Sequence, residues 1–360
     1  MNGGPVSLPL IEVRGGHREI GRQIGEAARE RIRRSVAYYE DNIGWLAGMT
    51  FPAAEERALA LLPFARRDLP QYVEELAGMA EGAGVPFVKL LVLNCGEEIL
   101  CAARPGADER PSRPADHCTC LALAAPGRTI VGHNEDWVED DVENMVVLSI
   151  TAPGGTQILA LTGAAYLPMC GFNSHGMAFY GNTLYSRDER AGVPNVFKHR
   201  WLLEAATREE ADARACMEAR ARGSNHLNAQ AGGRIWDVEV SATRDLTIEA
   251  GAWLVHTNHF TAPEMQNVER SESAGSRLRL ERGRELVAAG SARGQDPFDL
   301  VAAVLSDHAN APTSICAHPV PDDPDHGPTT GSVIIELEER RMHVCAGRPC
   351  ENPYRVVSLD

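Results

Sequence analysis

Cys118 stands in Asp116-His117-Cys118-Thr119-Cys120, and His133-Asn134-Glu135-Asp136-Trp137 follows within the length of one hairpin. A cysteine attacks as thiolate, and its free pKa of ~8.5 means that it needs a base or a positive group nearby. The run ahead of it, 102–117 (AARPGADERPSRPADH), is rich in Pro, Arg, Asp and Gly and reads as an exposed, cuttable loop. Scission of the His117–Cys118 bond would place an α-amine on the same residue as the thiol. With a reference pKa of ~7.7–8.0, that amine suits a general base at neutral pH. Nucleophile and base would then share one residue, as in the Thr/N-terminus variant of the triad.

Three further side chains complete a plausible chemistry. The hairpin Thr119 to Ala124, Pro126-Gly127, Thr129 to Gly132 brings Asp136 back beside Cys118, where a carboxylate can orient an α-ammonium. Asn258, in His256-Thr257-Asn258-His259 at the end of a strand, offers an amide to an oxyanion, and removing one such donor costs ~3 kcal/mol. Asn182, after the strand that ends at Tyr180, is a second candidate. Asn134, His133 and Thr119 flank these groups as support. The same residues also fit blander roles: a buried strand cysteine, an Asx turn, ordinary turn asparagines. The closest metal-like pairs, Cys118/Cys120 and His256/His259, lack zinc spacing, so no metal and no cofactor are expected.

The elements that position these residues change character at Cys118. Residues 17–40 read as an amphipathic helix with Ile20, Ile24, Ala28, Ile32 and Val36 four apart, and Gly21 and Gly25 permit close approach of a neighbour. Further helices are predicted over 70–82 and after Pro86. Beyond Cys118, short strands are predicted at Met145 to Thr151, Gln157 to Leu161, Met177 to Tyr180, Leu227 to Ala229, Ile235 to Val240 and Trp253 to Thr257. Helices return at about 195–220 and 276–305, followed by strands near Ser332 to Glu338 and Arg341 to Cys345. This order predicts an α+β architecture, with antiparallel sheets between helical layers.

Composition narrows the partners. The 360 residues suffice for a large core, and 44% hydrophobic with 24% charged residues is ordinary for a globular chain. A net charge of −15 disfavours nucleic acid, whose binding rests on Lys and Arg neutralising phosphates. No run approaches the ~18–20 apolar residues of a membrane span, and no secretory signal is read at the start. Nine cysteines, an odd number, fit a reducing compartment and a cytoplasmic location.

Several ordered stretches resemble the isopenicillin-N acyltransferase (acyl-coenzyme A:6-aminopenicillanic acid acyltransferase) family of N-terminal nucleophile hydrolases. They are Glu19-Ile20-Gly21 with Gly25; Tyr72, Glu74, Glu75, Gly78, Ala80, Gly82 and Ala83; Leu93-Asn94 with Glu98; Asp116, Cys118 and Thr119; Gly132, Asn134 and Asp136; Gly171-Phe172-Asn173-Ser174 with Gly176 and Asn182; His256-Thr257-Asn258-His259; Ser314-Ile315-Cys316; and Gly347-Arg348-Pro349. The resemblance implies a four-layer αββα sandwich made as a precursor. It implies scission between His117 and Cys118 into a helical segment 1–117 and a catalytic segment 118–360, together one globular unit and an α/β heterodimer. Cys118 would carry an acyl-enzyme, Asn258 would be the oxyanion donor and Asp136 would orient the amine. The substrate implied is a small amide or thioester.

Two positions depart from the family. His117 stands where Gly often precedes the nucleophile, and Ala317-His318 stands where Arg often follows Ser-Ile-Cys. The second change turns the expectation towards hydrolysis of an N-acyl or N-aminoacyl amide, with His318 and Ala317 at the substrate pocket. Two rivals stay open: an uncleaved, non-catalytic homologue that binds a small ligand, and a papain-like hydrolase pairing Cys118 with His256 or His259.

Overall fold

The computed structural model describes residues 8–100, 118–270, 274–320 and 327–359. The 102–117 loop, Asp116 and His117 lie outside the described residues. The chain begins with β1 (Leu10–Arg14), then α1 (His17–Ala27), α2 (Arg29–Ala47), α3 (Phe51–Asp68), α4 (Pro70–Ala83), α5 (Phe87–Asn94) and α6 (Gly96–Leu100). From Cys118 onwards come β2 (Thr119–Ala125), β3 (Arg128–Asp136), β4 (Met145–Thr151), β5 (Gln157–Gly163), β6 (Gly171–Asn173), β7 (Met177–Tyr180) and β8 (Thr183–Leu184). Next are α7 (Asn195–Leu202), α8 (Arg208–Ala215), β9 (Gly223–Gln230), β10 (Arg234–Val240), β11 (Asp245–Glu249) and β12 (Trp253–His256). Last are α9 (Ala274–Ala292), α10 (Pro297–Leu305), β13 (Thr329–Glu336), β14 (Arg341–Ala346) and β15 (Arg355–Ser358).

Strand periodicity builds the layers. Successive side chains of a strand point to opposite faces, so a strand buried on both faces serves two cores at once. In β2, Cys120 and Ala122 face a core that also holds Leu159, Phe172, Ala178 and Leu227, while Leu121 and Leu123 face Leu280, Val287, Val301 and Leu305 of α9 and α10. On the other side, Val146, Leu148, Phe179 and Trp236 pack beneath the helices of the N-terminal segment and α7–α8. The result is helices, a nine-stranded sheet (β1-β4-β5-β6-β7-β9-β10-β11, with β8 on β9), a six-stranded sheet (β12-β2-β3-β13-β14-β15), and helices again. The αββα sandwich expected from the sequence is therefore the observed fold.

Several boundaries differ from expectation. The 17–40 helix divides at Ala28 (φ −107°, ψ 17°), yet its stripe Ile20, Ile24, Ala28, Ile32 and Val36 is buried throughout. The 195–220 and 276–305 helices likewise divide into α7/α8 and α9/α10. The strand expected to end at Gly132 continues to Asp136, which moves Asn134, Glu135 and Asp136 from a loop into the sheet. The N-terminal segment, read as mostly helical, also contributes β1, which pairs in parallel with β4. No helix among the described residues is long and apolar enough to cross a membrane.

Candidate active site

Cys118 precedes the first residue of β2, and Thr119 pairs with Asn134 of β3. Alternation then sends Cys118, Cys120, His133 and Glu135 to the space between the sheets. Thr119 and Asn134 face the α9–α10 side. The Cys118 Sγ lies 3.8 Å from the carbonyl oxygen of Asp136 and 3.9 Å from Glu135 Oε1. Burial, with Glu135 and Asp136 beside it, pushes the thiol well above its ordinary pKa; Arg279 pulls the other way. A thiol so placed stays neutral until something takes its proton.

Arg279, on α9, ties the expected residues together. Its Nη1 donates to the Cys118 carbonyl at 2.7 Å and to Thr119 Oγ1 at 3.0 Å, and its Nη2 donates to Asn258 Oδ1 at 3.1 Å. The guanidinium fork suits such fixed, multiple contacts. Asn258 keeps Nδ2 as its donor, with a long 3.3 Å contact to the Thr183 carbonyl. Asp136 accepts from Thr329 Oγ1 at 2.6 Å through Oδ1, while its buried Oδ2 has no hydrogen-bond partner among the described residues. Burial raises the Asp136 carboxyl well above the carboxylate range, although Arg279 and Thr329 favour its charged form.

The supporting candidates separate into distinct places. Asn134 Nδ2 donates to the carbonyls of Leu305 and Ile315, both at 2.9 Å, and Oδ1 accepts from Ser332 at 2.6 Å, so its amide is fully spent on packing. Asn182 Nδ2 is engaged by Cys120 Sγ at 3.1 Å and Asn225 Oδ1 at 2.9 Å, behind the nucleophile. His133 Nε2 contacts Glu135 Oε2 at 3.1 Å, and its ring packs on Tyr180. Ala317 N–H donates to the hydroxyl of Thr329, the residue that holds Asp136, and the Ala317 carbonyl accepts from Thr329 N–H. His318 contacts His308, Cys350 and Glu351 instead. Neither His318 nor Ala317 lines the cavity beside Cys118.

The papain-like pairing finds no partner. His256 Nε2 faces Glu239 Oε1 at 2.9 Å and its Nδ1 faces the Thr257 carbonyl at 2.7 Å; His259 Nδ1 faces Ser276 Oγ at 2.7 Å. Among the described residues, the imidazole near the thiol is that of His133: one of its ring nitrogens, Cys118 Sγ and a Glu135 oxygen all lie within 4.8 Å of one another.

The cavity encloses about 820 Å³ of atom-free space, part of it open to solvent. Trp137, Tyr166, Leu161 and Val196 give it apolar walls, and among the described residues Glu97, Glu135 and Asp141 line it without any Lys or Arg. Arg222 sits behind Glu97, at 3.9 Å. Burial pushes Asp141 up to about 7, and its carboxylate accepts from Tyr39 at 3.2 Å. Sequence reasoning missed Arg279 and the position of Glu135 beside the thiol. Arg279 is one of several arginines on α9 and nothing in the sequence singles it out, whereas the strand alternation Cys118/Cys120 against His133/Glu135 carried a readable signal.

The Cys118 thiol thus lies buried between the two sheets of an αββα sandwich. The sequence pattern of the family described as acyl-coenzyme A:6-aminopenicillanic acid acyl-transferase matches residues 123–351. The chain belongs to that family. It is 26% identical to the 40 kDa form of acyl-coenzyme A:6-aminopenicillanic-acid acyltransferase of Emericella nidulans, over 93% of this chain and 91% of that one. It is 27% identical to the β-alanyl-dopamine/carcinine hydrolase of Drosophila melanogaster, over 57% of this chain and 56% of the relative. Penicillin V acylase from Agrobacterium tumefaciens superposes with a TM-score of 0.45 at 14% identity, covering 67% of this chain and 86% of that one.

Proposed function

We propose that the protein is a self-processing cysteine amidohydrolase that cleaves a small N-acyl amide, with Cys118 as nucleophile and new N-terminus. The observation that carries this reading is the pairing of a neutral, buried thiol with a buried Asp136 oxygen that lacks a partner among the described residues. An α-ammonium on Cys118 supplies that partner. Maturation starts when Glu135 takes the thiol proton and Sγ attacks the His117 carbonyl. The peptide becomes a thioester as the Cys118 nitrogen takes that proton from Glu135 and leaves as an amine, and water then releases the segment 1–117.

In turnover, the freed α-amine takes the Sγ proton and the thiolate attacks the substrate carbonyl. Asn258 Nδ2 donates to the oxyanion, and Arg279 holds Asn258 and Cys118 in register. The leaving amine receives the proton from the Cys118 ammonium. Water then enters, gives a proton back to the amine and hydrolyses the thioester. The acidic, aromatic cavity favours a substrate bearing a cation, such as an N-aminoacyl amide of an aromatic or heteroaromatic amine. The β-alanyl amides named for the Drosophila relative are of that class. No cofactor is required, and the compartment proposed is the cytoplasm.

Intact-mass measurement tests the processing: fragments 1–117 and 118–360 are expected from the wild type and a single chain from Cys118→Ala. Incubation with β-alanyl and N-phenylacetyl amides tests the chemistry, with an acyl adduct on Cys118 and preference for the β-alanyl series expected. Turnover by Cys118→Ala would refute the nucleophile; absence of any adduct would favour a ligand-binding homologue. The cluster of Cys118, His133 and Glu135 supports a second reading, in which His133 serves as base in an intact chain. An active but uncleaved protein would select it.

A further inference from the structure

Around Ala317, which bonds to Thr329, two loops bring together four side chains unrelated to the proposed reaction. His308 and Cys316 come from the loop after α10, His318 follows two residues on, and Cys350 comes from the turn after β14. One ligating atom from each lies within 4.8 Å of all the others. His308 Nε2 and His318 Nε2 are 3.1 Å apart, His318 Nε2 and Cys350 Sγ 3.2 Å, and Cys316 Sγ and Cys350 Sγ 3.5 Å.

We infer that His308, Cys316, His318 and Cys350 form a Cys2His2 site for a zinc(II) ion. Zn–N bonds of about 2.05 Å and Zn–S bonds of about 2.3 Å in a tetrahedron require edges of about 3.3–3.8 Å between ligand atoms. The observed separations fall within a few tenths of an ångström of those edges. Four protein ligands of this type fill the coordination sphere, which makes the site structural rather than catalytic. His318 turns its other nitrogen, Nδ1, towards Glu351 Oε1 at 3.4 Å, and Glu351 is itself held by Arg348 at 2.7 Å. A carboxylate behind a ligating imidazole fixes its tautomer and raises its basicity.

The ion has a mechanical consequence. The loop it clamps supplies the Ile315 carbonyl to Asn134, and Ala317 bonds in both directions with Thr329, whose hydroxyl holds Asp136. Zinc thus braces one wall of the candidate active site without touching substrate. The sequence expectation of no metal weighed only ligands adjacent along the chain. This set joins His308 to Cys350 across α10's exit loop, β13 and β14, so no compact spacing motif announces it.

The test uses untagged full-length protein. Metal analysis after purification without chelator is expected to find stoichiometric zinc. Replacement by cobalt(II) is expected to give the intense visible bands of a tetrahedral thiolate site. Cys350→Ser or His308→Ala should abolish those bands, while Glu351→Gln weakens cobalt binding about 10–100-fold. Cys118→Ala should retain them. Loss of the bands in Cys118→Ala with retention in Cys350→Ser would place the ion at the nucleophile and overturn the assignment. A Cys316–Cys350 disulfide in metal-free, freshly isolated protein would overturn it equally.

Discussion

Arg279 Nη2 grips the oxygen of Asn258 and leaves Nδ2 as the only group of that side chain able to meet a developing oxyanion. The two ends of one amide therefore have separable roles, anchor and donor. Asn258→Asp keeps the oxygen that Arg279 holds and deletes the donor. We expect kcat to fall about 10²–10³-fold in that variant, the usual cost of losing one oxyanion donor, with little change in melting temperature. Retained activity would leave Asn258 as an anchor for Arg279 alone. At this scale, Cys118, Asp136 and Asn258 were picked from residue type and position, and the structure brings Cys118 beside Asp136 and joins Asn258 to it through Arg279. Arg279 was not, since an arginine on a helix becomes informative only when α9 is docked and its head is seen among Cys118, Thr119 and Asn258. Asn182 was a second oxyanion candidate and Asn134 a supporting residue, and their packing shows both amides already engaged.

Helix α1 packs on α4 through glycines on both sides. An added Cβ at Gly21 would sit 1.7 Å from the Glu75 carbonyl oxygen, and one at Gly78 would sit 2.0 Å from that of Arg18. Backbone rather than flexible side chain is met, so the helices must separate to admit a methyl group. Gly21→Ala is therefore expected to destabilise by about 3 kcal/mol or more, at or beyond the upper end of ordinary overpacking. Gly44, exposed in α2 with its nearest neighbour 3.8 Å from a Cβ, makes the opposite case. Gly44→Ala should stabilise by roughly 0.5–1 kcal/mol through helix propensity. Thermal or urea unfolding of the two variants checks both signs. The close approach at Gly21 and Gly25 was legible because small residues lay beside an apolar stripe. Helix α3, for which the sequence carried no stated expectation, holds Pro63 inside it; Pro63 and the Leu59 position whose carbonyl it deprives of a donor are both exposed, where water serves. The C-terminal end of β3 was hidden because Asn134, Glu135 and Asp136 look like loop residues until their buried polar partners are counted.

Across the whole molecule, the segment ahead of Cys118 joins the rest by more than apolar contact. It adds β1 to the nine-stranded sheet, exchanges hydrogen bonds between Asn94 and the Ala165–Leu167 turn, and places Glu75 against Arg200. Glu75 is fully buried and receives Arg200 Nε at 2.8 Å, Arg200 Nη2 at 3.1 Å and His17 Nδ1 at 2.8 Å. Burial disfavours its charge, but Arg200 and His17 outweigh that cost and hold the carboxyl below its ordinary pKa. A lowered folded-state pKa contributes stability that is present above the unfolded value, about 4.3, and is lost as pH falls through the folded one. Glu75→Gln removes the charge and leaves Arg200 buried with Glu204 at 2.9 Å and the Tyr72 ring face. Breaking a buried pair in this way costs about 3–5 kcal/mol, and the surviving partners place Glu75→Gln near the lower figure. The deficit should be full at neutral pH and should shrink in acid below the ordinary carboxylate range, where the wild type also loses the charge. Urea unfolding of both proteins across that range measures the difference directly; a deficit that does not change with pH would mean that Glu75 acts through shape and hydrogen bonding rather than through its charge.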